Sequence, residues 1–147
     1  MRMKTESAYQ QVILPGSRAA QELTVFARTV LGCGCADEVF DAMCVEWRVA
    51  PSVQCLVRIG GRLMVGVCHV SGAAWSAETI GQLLQWGQQL RDREGFNRFR
   101  LLIAVDAGQS VAAGTVDENY GLDERMHVHV EPAAVLPELV LRGILPT

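Results

Sequence analysis

The chain has 147 residues, half of them hydrophobic and a fifth charged, with 13 basic against 16 acidic side chains and a net charge of −3. A chain of this length suits one domain, which buries roughly 68–70% of its unfolded surface, and the composition is too apolar for a disordered polymer. The acidic balance, free of any run of like charge, argues against nucleic acid or an anionic membrane as partner. No window reaches the roughly 18 apolar residues that a membrane-spanning helix requires, and polar Gln10 and Gln11 do not suit a secretory leader. We therefore expect one cytoplasmic domain over residues 1–147, loosely ordered over 1–16. The five cysteines are an odd set in a chain large enough to fold without cross-links, which predicts free thiols in a reducing compartment.

In chain order, Ser17 is placed to cap a helix whose apolar residues Ala20, Leu23, Ala27, Val30 and Leu31 recur at three- and four-residue spacing, with Gly32 as its left-handed stop. Cys33-Gly34-Cys35 then forms a loop before a short helical stretch over 36–41, whose acids Asp37 and Glu38 lie in its first turn. Alternation over 44–49 predicts a strand. Two further β-rich runs, 53–59 and 62–70, flank Gly60-Gly61, a dipeptide that reaches the positive φ of a tight hairpin turn.

Ser76 opens a second helix with Ile80, Leu83, Leu84, Gly87 and Leu90 as its stripe, and Gly95 closes it. The unbroken apolar run from Leu101 to Val105 predicts a strand covered on both faces, parallel to the strand around Met64 because a helix lies between them. Residues 107–125 hold three glycines and little periodicity, which predicts a long functional loop. Residues 126–131 alternate as a last edge strand, and 132–142 predict helical structure opened by Pro137 and stopped at Gly143. The expected fold is α/β (α+β), a mixed four- or five-stranded sheet with helices mainly on one face in the order α-α-β-β-β-α-β-β-α.

Two glycines flank Cys33 and let both sulfurs face one way at a helix start, where the dipole would depress a thiol pKa. Cys33 and Cys35 are therefore the candidate catalytic pair. Against this stands plain packing, since free cysteine is among the most buried residue types. C-x-C also occurs in iron–sulfur proteins, but no cysteine precedes Cys33, and Cys44, Cys55 and Cys68 form no C-x-x-C. His127 and His129 share one strand face, and with Cys33 and Cys35 would complete a Cys₂His₂ set for a zinc or iron ion if the fold joined them, although nothing in the sequence requires a metal.

Adjacent Cys68 and His69 point to opposite faces and cannot act on each other. Arg91, Arg93, Arg98 and Arg100 are interrupted by Asp92 and Glu94 and suit a solvated helix end. No G-x-S-x-G, H-E-x-x-H or phosphate-loop pattern occurs. Two functions of different class remain: thiol exchange or metal/sulfur binding at Cys33/Cys35, and a non-catalytic binding or assembly module. The residue pattern does not decide whether the protein is an enzyme, nor which small molecule it binds. The apolar segment 133–145 predicts a homodimer, because a short helix there is apolar on more than one face.

Overall fold

The computed structural model describes residues 10–50, 52–69, 76–106 and 124–144. Its elements are β1 (Gln10–Ile13), α1 (Arg18–Thr29), a 3₁₀ turn (Asp37–Asp41), β2 (Met43–Ala50), β3 (Val53–Ile59), β4 (Leu63–His69), α2 (Ala77–Glu94), β5 (Arg98–Val105), β6 (Met126–Pro132), a second 3₁₀ turn (Ala133–Val135) and α3 (Glu138–Ile144). The strands form one six-stranded sheet in sequence order. β1 through β4 pair antiparallel, whereas β4–β5 and β5–β6 are parallel, as the intervening helix α2 requires of the first parallel pair.

Local chemistry accounts for most boundaries. The Ser17 hydroxyl accepts from the Ala20 amide and starts α1, and Gly32 sits just beyond its end at φ 71°. Ser76 caps α2 in the same way through the Thr79 amide, and Gly95 ends it in the left-handed region at φ 77°. Gly60 and Gly61, at φ 62° and 68°, make the turn from β3 to β4, closed by the Arg62 amide donating to the Ile59 carbonyl. Pro137 directly precedes α3, and its carbonyl accepts from Leu141.

The strands alternate between two cores. One face of the sheet turns Val45, Val57, Val65, Val67, Leu102 and Ala104 toward α1 and α3; the other turns Leu56, Met64, Leu101 and Ile103 toward α2. Phe99 is fully buried on the α2 face, between Gly66 of β4 and Gly87 of α2. A Cβ at Gly87 would lie 2.4 Å from the Phe99 ring, so glycine is what lets helix and strand approach. Trp86 meets the same ring edge-on at a centroid distance of 6.1 Å.

Three expectations are corrected. The sheet has six strands, because Gln10–Ile13 adds an edge that the polar pair Gln10-Gln11 conceals, so the element order begins with a strand and residues 10–13 are not loose. Helices cover both faces, since α2 crosses from β4 to β5 on the side opposite α1. Gly143 does not stop the last helix, which runs to Ile144. Of the segment expected to drive dimerisation, Leu136, Leu139, Val140 and Ile144 are buried in the chain's own core and Val135 is exposed. The long loop expected over 107–125 lies outside the described residues except for 124–125. Among the described residues no helix is long and apolar enough to cross a membrane.

Candidate functional site

The chain leaves α1 through Val30 and turns at Gly32, and the Cys33 amide donates back to the Ala27 carbonyl at 2.9 Å. This folds Cys33 under the end of the helix, where it is buried in the core, and leaves Cys35 half-exposed. The two Sγ atoms lie 2.7 Å apart. Ala36 then starts the 3₁₀ turn without a side-chain cap, so the dipole expected to act on the thiols belongs to a turn of five residues and not to an α-helix.

Three other segments converge on this loop. Arg62 comes from the β3–β4 turn, Arg98 and Arg100 from the first half of β5, and His127 from the first half of β6. Parallel register places Arg100 beside His127, on the face that α1 and α3 occupy farther along the sheet. Together with Cys33 and Cys35 these side chains line a cavity of about 480 Å³. Among the described residues its lining holds three arginines and no carboxylate. Among the described residues none of these arginines forms an ion pair.

The electrostatics follow from this arrangement. Burial pushes the Cys35 thiol above its usual value, and the adjacent Cys33 adds to the rise, while Arg62 and Arg28 pull the other way. The depression expected for a thiol at a helix start is thus absent at Cys35, where burial and Cys33 outweigh the two arginines. Arg28 is already engaged: it pairs with Asp37 at 2.6 Å and lies over the Phe40 ring. Burial and the neighbouring Arg98 charge lower the pKa of Arg100, while both cysteines raise it. Arg100 donates Nη1 to His129 Nε2 at 2.9 Å, and its buried Nε has no acceptor among the described residues. Burial and Arg100 together push His129 down to about 4, so the ring is neutral at physiological pH; burial lowers His127 in the same sense, aided by Arg100 and Arg98.

Of the proposed Cys₂His₂ set, the fold gathers Cys33, Cys35 and His127 around one cavity and commits His129 to Arg100. Among the described residues no group of three or more His, Cys, Asp or Glu side chains is arranged to hold a metal ion. Cys55 and Cys68 are fully buried, and burial pushes both thiols up to about 12. His69 lies at the opposite end of β4, with Nε2 2.7 Å from Asp106 Oδ1, and faces no cysteine nucleophile. Arg91, grouped with the solvated arginines by sequence, is buried and donates to Asp92.

The arginine cluster is what reading by residue type overlooked. Arg98 and Arg100 share a strand face by simple alternation, a signal available from the sequence. Arg62 joins them only through the β4–β5 register, which pairs Leu63 with Arg98. Compared with known protein families, curated proteins and solved structures, the chain matches none.

Proposed function

We propose that this protein is a dithiol reductant that exchanges with disulfides through Cys33 and Cys35. The carrying observation is the pair of free thiols with sulfurs 2.7 Å apart, one half-exposed and one buried, in a cavity lined by cations. Cys35, the accessible sulfur, attacks as thiolate one sulfur of a substrate disulfide; an S–S bond forms to Cys35 and the substrate S–S bond breaks, releasing one substrate thiolate that takes up a proton. Cys33, once deprotonated, attacks Cys35 Sγ, closes the Cys33–Cys35 disulfide and releases the second substrate thiol. Two electrons pass from protein to substrate.

A thiol held above its usual pKa gains little from ionising, so ionisation of Cys35 does not specially stabilise the reduced form. Once ionised, such a thiolate is also the stronger nucleophile. The arginine lining favours an anion over a cation in the cavity, which weighs against metal binding.

The test is incubation with bis(hydroxyethyl) disulfide followed by peptide mass mapping. A Cys33–Cys35 disulfide with release of mercaptoethanol is expected, and Cys35→Ser should abolish release. If the fastest-reacting thiol is unchanged in both Cys33→Ser and Cys35→Ser, the reading fails.

A second reading, assembly through a surface, is favoured by Val12, Leu14 and Val25, which are 71%, 69% and 59% exposed. Val12 lies on β1, which is an edge of the sheet among the described residues. Sedimentation of the full chain at micromolar concentration tests it, and a monomer would remove it.

A further inference from the structure

We infer that Arg62, Arg98 and Arg100 form an oxyanion subsite beside the thiol pair, so that the disulfide reduced there carries a carboxylate or phosphate near its sulfurs. This rests on the exchange reading for the word disulfide, but the subsite itself stands on separate observations. The three guanidinium groups line the same cavity as both sulfurs, with no acidic side chain among its described lining residues. None of the three has an ion-pair partner among the described residues, in contrast to Arg18, Arg28, Arg58 and Arg91, each of which does.

Arg100 gives the strongest indication. It is only partly exposed, its Nε is buried, and that N–H has no acceptor among the described residues. Buried donors are satisfied almost without exception, and a planar guanidinium held at one edge presents the rest of its donors in a fixed fork suited to an oxyanion. His129 supplies the hold, because a neutral imidazole accepting from Nη1 leaves the charge of Arg100 intact. Arg98 is exposed and Arg62 comes from the hairpin turn, so both can close over a ligand without repacking the core.

Carboxylate and phosphate present the same chemistry to such a fork, and the site does not need the thiols in order to bind either. The first measurement is therefore binding by calorimetry with the Cys33→Ser/Cys35→Ser double variant, using thiodipropionate as a non-reducible dicarboxylate and inorganic phosphate as the alternative oxyanion. Saturable binding of one of them is expected, and the tighter identifies the source. Arg98→Gln, at an exposed position that the fold does not rely on, should weaken it by roughly threefold to tenfold, as should Arg62→Gln. Binding of neither, or binding indifferent to both substitutions, overturns the subsite.

The second measurement is exchange by the wild-type chain with dithiodipropionate, bis(hydroxyethyl) disulfide and cystamine, which are anionic, neutral and cationic. The expected order of rates is anionic, then neutral, then cationic, with the spread shrinking as salt rises. Equal rates for all three would overturn the subsite while leaving thiol exchange intact. No exchange with any of them, combined with oxyanion binding in the double variant, would remove the exchange reading and leave the subsite standing.

Discussion

His129 Nε2 lies 2.9 Å from Arg100 Nη1, and because a guanidinium only donates, the imidazole accepts. Burial, and then the permanent cation of Arg100, make the ring resist its own proton, so its folded pKa falls to about 4 from an ordinary 6.5. The unfolded chain takes up that proton near 6.5 while the folded chain refuses it until about 4. The resulting stability is complete above 6.5 and is lost as pH falls through that window. Screening at this half-buried ring limits the loss to about 1–2 kcal/mol.

The first prediction follows for His129→Gln, whose amide oxygen can accept from Arg100 without titrating. Urea midpoints of wild type should fall more than those of the variant between about pH 7 and about pH 5. Parallel pH dependence in the two proteins would contradict it.

The second prediction concerns the contact of Gly87 with Phe99. An added methyl at 87 meets the ring at 2.4 Å, inside any tolerable contact, and must displace the largest fully buried side chain. Gly87→Ala should cost about 1–3 kcal/mol by overpacking. Gly34→Ala, where a Cβ meets nothing within 4 Å and φ is not positive, should change stability by less than about 0.5 kcal/mol. Denaturant melts of the two variants decide it.

Arg58 supplies a third. It bridges Glu46 on β2 at 2.7 Å and Glu94 at the end of α2 at 2.9 Å, tying helix to sheet on the α2 face. Burial alone would lower its pKa, but the hydrogen bonds and charges of Glu94 and Glu46 outweigh this and raise it. Arg58→Met leaves two half-buried carboxylates unpaired and should cost about 1–3 kcal/mol. Arg58→Lys should recover only part of this, because an ammonium lacks the fork that serves two acids at once. Equal melting temperatures for the Met and Lys variants would refute the bridge.

A fourth prediction orders the thiols. Native-state alkylation should modify Cys35 and Cys44, both partly exposed, long before Cys55 and Cys68, whose thiols are buried and held near 12. The Cys35 rate should keep climbing as pH passes 9.0, the ordinary value above which its pKa is raised. A plateau near neutrality, read by timed quenching and peptide mass mapping, would show a depressed pKa instead.

The elements with strong local signals were legible in the sequence: the serine caps of α1 and α2, the Gly60-Gly61 turn and the parallel pairing of β4 with β5. β1 was not, since three of its four residues are exposed and a short edge strand leaves no alternation to detect. Nor was the side of the sheet that α2 covers, because an amphipathic stripe identifies an inward face without saying which layer it meets. The thiol pair stood out as a motif. Its arginine surroundings did not, because Arg62, Arg98 and Arg100 meet the thiols only through the β3–β4 turn and the strand register.

The parallel joins of β5 and β6 also set an order of events. Antiparallel β2, β3 and β4 can zip through short turns, whereas β5 and β6 must each close a long connection before they pair. During refolding the two cysteines should therefore meet Arg62, carried by the β3–β4 turn, before Arg98 and Arg100, which arrive with β5. Pulsed thiol labelling would detect this as an early window of uniform reactivity across Cys33 and Cys35 that closes only when the last strand docks. In that window an oxidant meets the pair without Arg98 and Arg100, so the full discrimination proposed for the native cavity is a property of chain assembly and not of the Cys-Gly-Cys segment itself.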